Sequence, residues 1–266
     1  MDVFGVDASA WLLLVVAAFA AGVLNAVAGG GSFLTFPALV FTGVPPIVAN
    51  ATSALAVSPG YAGSTLGFKT ELQALPRRRL QREMGISALG GVLGALLLLV
   101  TPASVFVGLV PALLLFATVL FAIGPRLAAR SAQGAETSDS PWREPGLLVV
   151  AIYGGYFNGG LGILLMALYT LTGEGRIHNV TGEGRIHNVN ALKNLNSLVL
   201  SLLSVVAFVV AGVIAWPQGL AMMVAATAGG FWGARWSKRL PVLWVRRGVI
   251  VTGLVMSAVF FVRAFG

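Results

Sequence analysis

Long apolar stretches dominate this chain, and glycine clusters interrupt two of them. Ser104–Gly124, Leu195–Ala215 and Gly248–Arg263 are nearly continuous runs of Leu, Val, Ala, Phe and Ile, and Arg263, at the end of the last, is the only charge in the three. Each approaches the ~20 residues a helix needs to cross a bilayer. The same reading predicts six crossing helices, at about 48–68, 84–100, 104–124, 194–215, 218–234 and 247–264, and none contains Asp or Glu. Two further apolar stretches are broken from within: Trp11–Thr42 by Gly29-Gly-Gly31, and Gly146–Leu171 around Asn158-Gly-Gly-Leu-Gly162. Each is expected to be a helical hairpin (11–43 and 146–171) that dips into the protein and returns to the side it left. Non-helical backbone at membrane depth is tolerated only where protein or a watery cavity surrounds it.

The chain divides at the polar linker 126–145, rich in Ser, Ala and charges, which separates a repeat at 1–125 from one at 146–266. Gly22-Val-Leu-Asn25 followed by Gly29 recurs as Gly155-Tyr-Phe-Asn158 followed by Gly162. Asn50-Ala51 recurs as Asn190-Ala191, and Gly90-Gly-Val-Leu-Gly-Ala95 as Gly229-Gly-Phe-Trp-Gly-Ala234. Three matches in the same order, at nearly constant offset, point to a duplication. The spaced glycines Gly90/Gly94 and Gly229/Gly233 are the small-residue pattern of close helix packing.

Charge sets the orientation. In the first half the loop before the Gly-Gly-x-x-Gly-Ala segment is basic (Lys69, Arg77, Arg78, Arg79, Arg82) and the loop after it, Thr101-Pro-Ala103, is uncharged. In the second half the order reverses, with uncharged Trp216-Pro217 before and Arg235, Lys238, Arg239, Arg246 and Arg247 after. Basic loops stay in the cytoplasm, so the halves are expected to cross in opposite senses, an inverted repeat of one re-entrant hairpin plus three transmembrane helices per half. On this topology all 17 Lys and Arg residues except Arg263 are cytoplasmic. Eight plain crossings would instead place the basic loop 235–247 outside.

Composition agrees. Hydrophobic residues make up 57% of the 266 and charged ones 10%, against about 25% charged in soluble domains. The +8 net charge reflects cytoplasmic loops rather than nucleic-acid binding. The absence of cysteine excludes disulfides and thiolate chemistry. Met1–Ala10 has no basic n-region and holds Asp2 and Asp7, so it does not read as a cleaved signal peptide.

The candidate chemistry is anion binding. Gly29, Gly30 and Gly31 free backbone N–H groups to turn toward an anion, a helix restarting at Ser32 adds its positive end, and Ser32 and Thr35 offer hydroxyls. Asn25 and Asn158 sit at the two breaks. Asn50, Thr52 and Ser53 open one span, where a cap is the plain alternative. Asn190, Lys193, Asn194 and Ser197 open its counterpart and share a helix face, pairing one charge with amide donors; the plain alternative is that Lys193 snorkels to the interface. The nonapeptide Thr172–Val180 is repeated unchanged as Thr181–Val189, duplicating Glu174, Arg176 and His178 as Glu183, Arg185 and His187. One recent event explains the whole tract, and it is expected to lengthen a cytoplasmic loop, 172–189. With no acid in a span, proton coupling is left to His187, to a titrating substrate, or to none.

The run Ala21 to Leu39 with Asn25, Gly29-Gly-Gly-Ser-Phe-Leu-Thr-Phe-Pro37, then Gly43-Val-Pro-Pro46 and Ala49-Asn-Ala-Thr-Ser53, resembles the sulfite exporter TauE/SafE family. So do Tyr153-Gly-Gly-Tyr-Phe-Asn-Gly-Gly-Leu-Gly162 and His187-Asn-Val-Asn-Ala-Leu-Lys-Asn194. The likeness covers nearly the whole chain; the departure is the nonapeptide duplication. It implies a multi-pass inner-membrane permease that exports sulfite, an organosulfonate or a related small anion. The expected partners are that anion and membrane lipid, with a homodimer left open, no nucleic acid, no metal and no cofactor. No catalytic residues are expected, because no Ser/His, paired-Asp or metal-ligand arrangement falls at membrane depth. An uncoupled anion channel is the alternative, and a membrane scaffold a weaker one.

Overall fold

The computed structural model describes residues 7–27, 30–131, 140–172, 182–236 and 242–265, and all regular structure among them is helical. The first half contains α1 (Ala8–Val27), α2 (Ser32–Phe41), α3 (Pro46–Gly67), α4 (Lys69–Ala74), α5 (Arg77–Val100) and α6 (Ala103–Ser131). The second contains α7 (Arg143–Tyr156), α8 (Leu161–Leu171), α9 (Gly182–Val210), α10 (Trp216–Trp236) and α11 (Val242–Phe265). Prolines and glycines punctuate them as their backbone chemistry requires. Pro46 opens α3, where its missing N–H costs nothing, and Gly160, at φ +77°, turns the chain into α8. Among the described residues, four stretches are long and apolar enough to cross a membrane: Ala8–Asn25, Arg77–Val100, Ala103–Ile123 and His187–Val210. α2, with 10 residues, reaches only about 15 Å at 1.5 Å per residue, half a bilayer core.

Several helices run beyond the apolar stretches that announce them. α5 starts at Arg77, seven residues before the expected span, and carries Glu83 into the bundle at 2% exposure. The expectation of acid-free spans is therefore corrected. α6 continues to Ser131 and α7 begins at Arg143, leaving 132–139 of the linker outside the described residues. α9 starts at Gly182, so the second nonapeptide is mostly helix; the first copy beyond Thr172, and Thr181, lie outside the described residues. α9 stops at Val210, where Gly212 (φ +69°) reverses the chain and Val213 N–H donates back to the Phe208 carbonyl. Hydropathy locates the hydrocarbon-sized stretch, whereas a helix continues until its backbone is terminated.

Large apolar side chains on the outside of the bundle, among them Leu12, Val16, Leu93, Leu97, Phe116, Val206, Val255 and Phe261, are exposed. In α3 the order is inverted: Asn50, Thr52 and Ser53 are buried. A surface apolar outside and polar inside is built for lipid.

The halves interlock through exchanged partners. α1 packs on α10 as α7 packs on α5; α3 packs on α10 as α9 packs on α5; α3 meets α9, and α6 meets α11. Spaced glycines permit the close crossings of α1 on α10 and of α5 on α7. A methyl on Gly22 would strike the Ala226 carbonyl, and one on Gly229 the Phe19 carbonyl; their counterparts Gly155 and Gly90 would strike the Gly91 carbonyl and the Ala151 side chain. Advancing from Gly229 to Gly233 moves the contact from Phe19 to Val23, so α1 and α10 run parallel, and α5 and α7 do the same. α3 and α9 run antiparallel. Thr52 Oγ1, early in α3, accepts the Ala215 N–H just past α9 (3.0 Å), while Phe68, just past α3, packs on His187 near the start of α9. Arg143 Nη2 donates to the Thr172 carbonyl (3.2 Å), so the start of α7 meets the end of α8 and the pair is a hairpin. One end of the bundle thus gathers Glu71, Arg79, Arg82, Arg143, Glu144 and His187.

Candidate anion site

Most of the polar residues of the first half are occupied by the fold itself. Asn25 lies within the last turn of α1, and its Oδ1 accepts the Gly31 N–H at 2.7 Å. Gly31 presses on α1 so closely that a methyl would sit 2.7 Å from the Ala21 carbonyl, which is why glycine stands there. That N–H is therefore not offered to an anion; it anchors the break. Thr35 Oγ1 and Ser53 Oγ share a 2.6 Å hydrogen bond joining α2 to α3, and Thr35 also reaches the Gly31 carbonyl at 3.5 Å. Ser32, in the first turn of α2, is buried and Gly30 takes φ +93°. Gly29 lies outside the described residues.

Asn50 and Thr52 hold the halves together. Asn50 Nδ2 donates to the Tyr156 carbonyl at 3.0 Å, satisfying one of the acceptors left open at the end of α7. Asn158 is in the second break proper, buried, and accepts from Tyr61 of α3 at 3.4 Å; beside it Tyr153 donates to the Gly159 carbonyl at 2.8 Å. The two breaks approach through Phe36 and Phe157, whose rings meet edge-on at 5.5 Å.

Asn190, Lys193 and Asn194 differ. None of their side chains has a hydrogen bond or ion pair with another described residue, Asn194 is buried, and Asn190 and Lys193 are half-buried. Lys193 stretches over the first turn of α8, where a methyl on Gly162 would meet its Cδ at 3.9 Å. Further along the same face of α9, Ser197 and Ser201 are 0% and 1% exposed and their hydroxyls have no partner among the described residues. Spacing reveals this stripe once the helix face is drawn; Ser201 and Tyr61 were missed because neither belongs to a recognisable motif.

The thirteen expected residues do not form one pocket. Asn50 stands near the start of α3 and Asn190 near the start of α9, and these ends are opposite in an antiparallel pair. Asn190 lies within a turn of His187, which touches Phe68. Asn50 and Phe68 are separated by most of α3, so the two asparagines are roughly 20 Å apart at 1.5 Å per residue.

The sulfite exporter TauE/SafE family model matches residues 14–260. A protein of Haemophilus influenzae named "Probable membrane transporter protein" is 29% identical over 97% of this chain and 96% of its own length. The Escherichia coli K12 "Probable membrane transporter protein YfcA" is 28% identical over 91% of this chain and 86% of its own. A Sinorhizobium "Probable membrane transporter protein ORF9" is 30% identical over 61% and 62%. No solved structure matches.

Proposed function

The chain belongs to the sulfite exporter TauE/SafE family, a multi-pass membrane transporter, and from that premise we propose that it exports sulfite, an organosulfonate or a related small anion across the inner membrane. The observation that carries the reading is Lys193, a half-buried cation with no described counter-charge, beside Asn190 and Asn194. Lone charges inside a membrane protein are expensive and mark transport routes. An oxyanion supplies the missing charge, the amides donate to its remaining oxygens, and the first turn of α8 adds its positive dipole end. The hydroxyls of Ser197 and Ser201 continue the donors inward along α9. The other chosen residues serve as scaffold in this reading, tying the two breaks to α1 and α3.

The antiparallel α3 and α9, and the parallel pairs α1/α10 and α5/α7, support an inverted repeat with its pseudo-two-fold axis in the membrane plane, the arrangement in which carriers bind substrate between repeats. The basic end of the bundle then faces the cytoplasm. The test is thermal stabilisation of the purified protein by sulfite, sulfate, thiosulfate, sulfoacetate and phosphate. A ligand at 100 times its Kd stabilises by about 2.7 kcal/mol. A concentration-dependent rise in Tm with a sulfur oxyanion, absent with chloride at equal ionic strength, is expected. A panel that behaves like chloride throughout contradicts the reading.

A further inference from the structure

At the basic end of the bundle a carboxylate is buried among three helices. Glu83 of α5 accepts from Arg79 Nε at 3.0 Å, from the Tyr169 hydroxyl of α8 at 2.7 Å and from Asn196 Nδ2 of α9 at 3.2 Å. Asn196 also reaches the Tyr169 hydroxyl (2.6 Å), and its Oδ1 accepts from Ser87 (2.7 Å). A hydrogen-bonded chain therefore runs from Glu83 through Tyr169 and Asn196 to Ser87. On its other side Glu83 borders a cavity of about 800 Å³, lined also by Arg78, Arg79, Arg82, Arg143 and Glu144. Arg82 and Glu144 pair across it at 2.8 Å.

The fold does not require this cluster. In the other half, the positions equivalent to Glu83 and Asn196 are Met222 and Ala56, 0% and 1% exposed, and α2 carries only apolar side chains beyond Thr35. At these equivalent positions buried apolar side chains stand in place of the acid and the amide. An acid kept inside the bundle on one side only, open to a cavity and joined to a hydrogen-bonded chain, has the make-up of a proton site.

We propose that Glu83 is a proton-binding site coupled to movement of the anion, an inference that rests on the transport reading above. Hydronium in the cavity gives its proton to the carboxylate, leaving water and a neutral acid, and the proton returns to water when the cycle reverses. The neutral acid no longer balances Arg79 and accepts more weakly from Tyr169 and Asn196. α8 and α9, which carry Gly162 and Lys193, are then released from α5. One proton carried with one univalent anion makes the step electroneutral.

Infrared difference spectra of the purified protein, acid minus neutral, test the site without any substrate. The wild type is expected to gain a protonated-carboxyl C=O band that Glu83→Gln lacks; identical difference spectra in the two proteins overturn the proposal. Should Glu83→Gln fail to fold, Tyr169→Phe keeps the carboxyl and removes its hydroxyl partner, and the band must shift in frequency; an unmoved band overturns it equally. Coupling is read in proteoliposomes with methanesulfonate, whose charge is constant across the range used. An imposed pH gradient is expected to accelerate flux in the wild type and to lose that effect in Glu83→Gln, whereas equal acceleration in both refutes coupling. Absence of sulfonate flux at every pH, with the infrared band present, would refute the transport reading and coupling but leave the proton site standing.

Discussion

Asn25 and Ser197 illustrate two ways a polar side chain is held inside an apolar bundle. Asn25 is half-buried and satisfies the Gly31 N–H. Ser197 is fully buried and its hydroxyl has no described partner. Leaving a buried donor unpaired costs about 1–3 kcal/mol. Asn25→Ala is therefore expected to lower stability by about that amount, read as a drop in Tm, with anion affinity in the folded fraction retained. Ser197→Ala removes a hydroxyl that bonds to no described residue, so Tm should hold or rise while transport slows. A Tm loss for Ser197→Ala equal to that for Asn25→Ala would show the hydroxyl to be structural. Sequence alone placed both residues beside an anion, because a motif records which donor types are present and not which of them the backbone has already taken.

At the scale of elements, glycine decides which helices touch. A methyl on Gly94 would run into the backbone of α7, whereas one on Gly63 of α3 meets nothing within 4 Å. Overpacking costs about 1–3 kcal/mol, so Gly94→Ala should destabilise by that order. Gly63→Ala should stabilise by up to about 1 kcal/mol through helix propensity. Thermal unfolding of the pair checks the assignment, and equal effects would contradict it. These contacts were legible in the sequence: the spacing of Gly90 and Gly94, and of Gly229 and Gly233, is a packing signal with few other meanings, and Gly29-Gly-Gly31 cannot continue a helix. Glu83 was not legible, because the basic run before it reads as a loop and hides that α5 already begins at Arg77. The start of α9 was missed for the same reason, since a polar nonapeptide carries no hydropathy signal whether coiled or helical.

For the whole molecule, the reading requires the basic end in the cytoplasm and the halves crossing in opposite senses. Single cysteines at Thr70, Ala103 and Ala211 distinguish the topologies. Under the hairpin arrangement Thr70→Cys reacts only from the cytoplasm and the other two only from outside. Labelling of Ala103→Cys and Ala211→Cys from opposite sides would favour eight plain crossings. The central claim is that Lys193 supplies the charge for a transported oxyanion, and it is tested most directly by sulfite flux into proteoliposomes holding wild type, Lys193→Ala, Lys193→Arg and the exposed control Lys69→Ala. Loss of a charge-assisted contact costs about 1.5–3 kcal/mol, so Lys193→Ala should raise the half-saturating concentration roughly tenfold or more. Lys193→Arg should retain part of the affinity and Lys69→Ala all of it. Saturable flux in Lys193→Ala with the wild-type half-saturating concentration would contradict the account.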